Sequence, residues 1–118
     1  MNISKFTQKS VQAVQDLEKV AYEYGNQEIE QEHLLYTLLT QEDSLILKLI
    51  EKMEINKDYF IDTVKKALDA KVKVSGGELR FGQYLNKALV NAEDEAKAMG
   101  DEYVSVEHLF LALLKYPS

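Results

Sequence analysis

The chain has no cysteine and no tryptophan, one arginine (Arg80) and one proline (Pro117). Without cysteine there is no disulfide framework, thiolate metal site or thiol nucleophile, so a small domain must rest on apolar packing. No apolar run approaches the roughly 20 residues that span a bilayer. The opening Met1-Asn2-Ile3-Ser4-Lys5 lacks the apolar core of a secretion signal. A cytoplasmic location and no membrane partner are therefore expected. Cations are scarce as well: 14 Lys and Arg face 20 Asp and Glu, for a net charge of −6. With the lysines dispersed, no patch can neutralise a phosphate backbone, and nucleic acid is not an expected partner.

What remains is a length of 118 residues, suited to one domain and one core, with helical periodicity along almost all of it. Thr7 is a candidate N-cap for a first helix carrying Val11, Val14, Leu17 and Ala21, and Gly25 is its left-handed stop. A second helix begins near Glu30 or Gln31 and presents Leu34, Leu35, Leu38 and Leu39. A third follows Ser44 with Leu45, Ile46, Leu49, Ile50 and Met53. Asn56 caps a fourth that carries Phe60, Ile61, Val64 and Leu68. Residues 71–80, with Gly76 and Gly77, break the pattern and predict a mobile connector, with Val72 and Val74 able to form a short extended piece. A fifth helix is expected from about Phe81 to Ala98, ended by Gly100, and Ser105 caps a sixth with Leu109, Phe110, Leu111, Leu113 and Leu114.

The chain also matches itself at an offset of 75 residues. Phe6 aligns with Phe81, Gln8 with Gln83, Ala13 with Ala88, Glu18 with Glu93, Ala21 with Ala96 and Gly25 with Gly100. Glu32-His33-Leu34 then aligns with Glu107-His108-Leu109, and Leu38-Leu39 with Leu113-Leu114. Two copies of a unit that cannot bury its own apolar face pack on each other around one core. This duplication, with Lys5-Phe6-Thr7-Gln8-Lys9-Ser10, Gly25-Asn26-Gln27, Glu32-His33-Leu34-Leu35 and Asp101 to Leu109, resembles the double Clp amino-terminal repeat of AAA+ unfoldases, most closely the ClpB branch. The resemblance implies an all-α fold of two pseudo-symmetric repeats on one core. Residues 1–70 would be a first four-helix repeat, 71–80 the connector, and 81–118 the first half of a second. Family domains add two more helices after the point where this chain stops, so the second repeat is expected to be truncated and the chain a fragment.

As to chemistry, there is no G-x-x-x-x-G-K-[ST] loop, and Gly76-Gly77 lacks a following lysine. Neither ATP hydrolysis nor any cofactor is expected of this chain. Two histidines without a tight ligand cluster make no metal site. Their position about one turn into a helix suits a ring nitrogen that helps satisfy backbone groups. Glu32 and Glu107 fit the helix dipole in a first turn. Their other readings are pockets that pair with a guanidinium or a client lysine, or a hydrolytic carboxylate pair, which would need a shared pocket. Thr7 as a cap and Asp101 as a turn residue also have local roles. Tyr103, Phe110 and Leu111 are expected in the core.

The resemblance adds expectations of its own. It implies a substrate-recognition domain that captures unfolded or aggregated clients for a disaggregase. The motor, elsewhere in the parent protein, would bind ATP and form a homo-hexamer, with an adaptor as a further partner. In the ClpB branch the positions of Thr7, Asp101 and Glu107 form a client-handling patch. In the degradative ClpC relatives the positions of Glu32 and Glu107 belong to phosphoarginine pockets, which is the alternative reading.

Overall fold

Six capped helices follow the apolar periodicity of the chain in the computed structural model, which describes residues 3–74 and 76–117. Met1, Asn2, Ser75 of the connector and Ser118 lie outside the described residues. Helix α1 spans Gln8–Glu23, α2 Gln31–Thr40, α3 Leu45–Lys52, α4 Lys57–Asp69, α5 Gln83–Ala98 and α6 Val106–Lys115. Three starts have a local chemical cause. The side chains of Thr7, Ser44 and Asn56 accept from the backbone N–H of Ser10, Leu47 and Tyr59, relieving donors that have no intrahelical partner. Helices α1 and α5 each end before a glycine with positive φ, Gly25 at +70° and Gly100 at +73°, a conformation open to residues without Cβ.

Helix α2 lies at the centre and packs on all five other helices. Leu34, Leu38 and Leu39 are buried there with Leu17 of α1, Ile46 and Ile50 of α3, Leu68 of α4, Leu85 and Leu89 of α5, and Leu109 of α6. These residues belong to one continuous cluster, so neither half owns a separate core. Phe110 is buried, as expected, but Leu111 is only half-buried and outside the core cluster, and Tyr103 is 49% exposed. Its ring lies beside the Lys5 ammonium rather than in the core.

Two short parallel pairings brace the halves. Strand β1, Glu28–Ile29, pairs with strand β2, Arg80–Phe81, and a single bridge joins Phe6 to Val104. The 75-residue offset turns one into the other with the roles exchanged, Phe6 corresponding to Phe81 and Val104 to Ile29. The segment leading each half is thus hydrogen-bonded, through residues flanking Phe6 or Phe81, to the middle of the other. The bonds correspond as well: Thr7 N–H donates to the Val104 carbonyl at 3.0 Å and Gly82 N–H to the Ile29 carbonyl at 2.8 Å. Gly82 stands where the first half has Thr7. A Cβ there would lie 3.3 Å from the Ile29 carbonyl oxygen and 2.7 Å from a Glu28 carboxylate oxygen, so a side chain at this position would be crowded.

These pairings correct two sequence expectations. Arg80 and Phe81 are strand, so α5 begins at Gln83 rather than at Phe81. The first part of the connector, residues 71–74, is tied rather than loose. Val74 N–H donates to the Gly25 carbonyl, Asn26 Nδ2 to the Val72 carbonyl, and Lys73 Nζ to the Tyr24 and Leu68 carbonyls. Val72 and Val74 themselves are not strand.

A shared core predicts shared unfolding. Leu34→Ala and Leu109→Ala, at corresponding buried positions, should each lower stability by about 2–5 kcal/mol. Urea unfolding followed by far-ultraviolet circular dichroism should show one transition for each variant. Separate transitions, or a loss confined to part of the helical signal, would show two cores.

Candidate functional site

Both histidines act as backbone acceptors at helix starts. The N–H of Glu30 donates to Nδ1 of His33 at 2.9 Å, and the N–H of Ser105 to Nδ1 of His108 at 2.9 Å. A backbone N–H can only donate, so each Nδ1 is unprotonated and the ring proton sits on Nε2. From there His33 donates to Oδ1 of Asn26 at 2.9 Å, and His108 to Oδ2 of Asp101 at 2.8 Å. Asn26 and Asp101 each follow the glycine that ends the preceding helix. Each ring therefore ties a helix start to the loop before it.

The first copy has been locked further. Asn26 uses its amide N–H₂ on the connector at Val72, which a carboxylate could not do. Lys71 reaches back from the connector to Glu30 at 2.7 Å and Glu32 at 3.4 Å, with only 17% of its side chain exposed. Burial pulls the Lys71 ammonium down, but the two carboxylates outweigh it and leave the group above the ordinary lysine value. His33 is fully buried, and burial, with Lys71 nearby, holds its ring below the ordinary histidine value against the pull of Glu30 and Glu32.

Glu32 and Glu107 occupy the same place in their helices but have different neighbours. Glu32 is held by Lys71, and Gln31 before it is buried, donating to the carbonyls of Tyr84 at 3.3 Å and Tyr116 at 2.8 Å. What is left open beside Gln31 and Glu32 is a cleft of about 160 Å³ with Leu35, Leu113 and Pro117. At the other end Val106 replaces Gln31 and has no amide to reach across. There a cleft of about 430 Å³ opens between the starts of α1 and α6 and the turn before α3, lined by Thr7, Lys9, Gln41, Leu45, Val106 and Glu107 among others. Its lining is mainly apolar, Leu45 is 42% exposed, and Glu107 has no hydrogen-bond or ion-pair partner among the described residues.

Of the residues singled out from sequence, Thr7 and Glu107 meet in this cleft. The Thr7 hydroxyl is engaged with Ser10, accepting from its N–H at 3.3 Å and donating to its hydroxyl at 3.0 Å. Asp101 lines a different cleft, with Lys5, Glu102 and Val104. Glu32 and Glu107 lie in separate clefts, so they do not form the shared pocket that a hydrolytic pair requires. Leu45 and Gln41 had no sequence signal beyond periodicity and turn composition; only the fold brings them beside α6. Among the described residues no group of three or more His, Asp or Glu could hold a metal ion, and no helix is long and apolar enough to cross a membrane.

Duplicated helical units with exchanged pairings and ring-capped second helices define a double-repeat, all-α domain of the Clp type. The chain belongs to the Clp repeat N-terminal domain family, whose model matches residues 5–118. It is 38% identical over 123 residues to the chaperone protein ClpB of Nitratidesulfovibrio vulgaris, covering 100% of this chain and 14% of that protein. It is 40% identical over 114 residues to ClpB of Porphyromonas gingivalis, covering 97% of this chain and 13% of that one. The chain thus spans about one seventh of the length of these curated relatives. The fold is that of the Hsp104 N-terminal domain from Candida albicans, with a TM-score of 0.87 at 19% identity, over 96% of this chain and 75% of that one.

The ring environment predicts a pH dependence. His33 is depressed in the folded chain, so the unfolded chain binds the proton more readily. The stability it contributes is present above the unfolded value of about 6.5 and is lost as pH falls from there toward the folded value. His33→Gln should be less stable at neutral pH by about 1–3 kcal/mol, the cost of disturbing buried hydrogen bonds. The gap to the wild type should narrow from pH 7 to pH 5 in urea titrations. A gap independent of pH would show that the ring is not the titrating group.

Proposed function

We propose that the domain captures exposed segments of unfolded or aggregated proteins in the cleft between the starts of α1 and α6. The observation that carries this reading is the unequal fate of two corresponding carboxylates. Lys71 occupies Glu32, whereas Glu107, lining a mainly apolar cleft, has no hydrogen-bond or ion-pair partner among the described residues. Leu45 and Val106 in the lining suit apolar side chains, and the Glu107 carboxylate suits a lysine or arginine beside them. Apolar and basic residues together are what unfolded chains expose and folded ones partly hide.

The family membership and the similarity to ClpB chaperones support a role in handling client proteins. In the longer protein an AAA+ motor assembled as a hexamer would bind ATP and convert its energy, and this domain would raise the local concentration of clients near it. The cleft favours an apolar-basic segment over phosphoarginine. A phosphate needs converging donors; the Lys9 ammonium in this cleft is engaged with the Glu42 carbonyl, and Glu107 would oppose that charge.

Fluorescence anisotropy with a dye-labelled peptide of Leu, Phe, Lys and Ser, too mixed to fold, tests the proposal. Leu45→Ala and Glu107→Gln should each weaken binding by about three- to tenfold, or roughly 0.7–1.4 kcal/mol, whereas Glu32→Gln should leave it unchanged. Added salt should weaken the wild type more than Glu107→Gln. Equal effects of the Glu32 and Glu107 variants, or tight phosphoarginine binding lost in both, would replace this reading with the phosphoarginine one.

A further inference from the structure

We infer that Asp101 is a positioning residue for the cleft and acts through His108, without touching the client. This rests on the proposed client cleft and goes beyond it. Asp101 lies outside that cleft, yet its carboxylate accepts from Nε2 of His108 at 2.8 Å. The other nitrogen of the ring accepts from the N–H of Ser105 at 2.9 Å and lies 3.0 Å from its hydroxyl. Ser105, Val106 and Glu107 are the α6 side of the cleft. The ring is only 4% exposed at its side chain, so it has little room to find another partner. Removing the acceptor at 101 frees the ring to rotate or change tautomer, and the N–H of Ser105 then loses its acceptor.

The opposite wall is tied to the same point. Thr7 N–H donates to the carbonyl of Val104, and Val104 N–H to the carbonyl of Lys5. The Asp101–His108 link therefore sets where α6 begins relative to α1, and so the width of the cleft. The first half shows what the link requires. There Asn26 performs the same task for His33 with a neutral oxygen at 2.9 Å. The geometry needs an acceptor at this place and does not need its charge.

That difference makes the inference testable. Asp101→Asn keeps an acceptor and removes the charge; Asp101→Ala removes both. With the Leu, Phe, Lys and Ser peptide at about 0.3 M salt, where long-range charge is screened, Asp101→Asn should bind within about twofold of the wild type, and Asp101→Ala about fivefold or more weakly, as expected for losing one hydrogen bond that shapes the site. The ring ¹⁵N shifts of His108 should report a single Nε2–H tautomer in the wild type and in Asp101→Asn, and exchange between forms in Asp101→Ala. Glu107→Gln should weaken binding with the His108 shifts unchanged. If Asp101→Asn binds as poorly as Asp101→Ala while His108 keeps its tautomer, the carboxylate contacts the client and the inference fails. If the wild type binds no peptide, the client cleft fails instead; the ring shifts and hydrogen exchange at Ser105 N–H still decide whether Asp101 positions α6.

Discussion

The arrangement depends on a backbone N–H donating to a buried imidazole, made twice. Helix α2 touches every other helix, so its start must be placed within the core, where an unpaired donor is costly. A glutamate or glutamine at the third helical position can reach back to the cap in ordinary helices. Here a histidine does so, and its second nitrogen adds a function those side chains lack. Through Asn26 or Asp101 it holds the loop leaving the previous helix, so one ring sets both the helix start and the angle of entry. Among the described residues, no buried side-chain nitrogen or oxygen is left without a partner.

Duplication of this unit explains the exchanged pairings. Each leading segment, Phe6 or Phe81, lies against the other half's middle segment, Val104 or Ile29, so neither half completes its own backbone hydrogen bonding. Divergence between the copies then produced unequal ends. Gln31 bridges two carbonyls where Val106 bridges none, and Lys71 neutralises one pair of carboxylates where Ser105 and Glu107 have no such cation. Polar contacts narrow one end to a cleft of about 160 Å³, and the other is left with a cleft of about 430 Å³. Symmetry explains why two such places exist, and the substitutions explain why they differ.

The caps and glycine stops were legible in the sequence because each has a local cause. Thr7, Ser44, Asn56 and Ser105 all stand immediately before a helix, and both histidines satisfy backbone groups at a helix start, as their position suggests. The two-residue strands were not legible. Two residues have no periodicity to read, and what makes Arg80 and Phe81 strand is the carbonyl of Gln27 and the backbone of Ile29, distant in sequence. The connector looked loose because glycines are local, whereas the bonds from Val74, Asn26 and Lys73 that tie it are not. Of the candidate site, Glu107 and Thr7 could be named, but Leu45 and Val106 could not be told from core residues by spacing. Tyr103 was misread for the same reason: a ring at a helical approach has no pattern that separates packing beside Lys5 from burial.

Position in a helix does not by itself decide what an acidic residue does. Glu32 and Glu107 both lie in a first turn, where the helix dipole favours a carboxylate by roughly 0.3–1 kcal/mol without any partner. That local benefit explains why both can be present, and it is indifferent to function. The distinction comes from what each neighbour consumes. Lys71, itself pinned by Glu30, takes Glu32 into the fold, and removing that carboxylate would leave a largely buried ammonium with one partner fewer. Among the described residues no hydrogen bond or ion pair draws on Glu107, and the exposed Leu45 beside the same cleft has likewise not been used to fill the core. A charged group and an apolar group left over at one place, where every buried side-chain nitrogen and oxygen among the described residues has a partner, are the physical basis for recognition of a second chain.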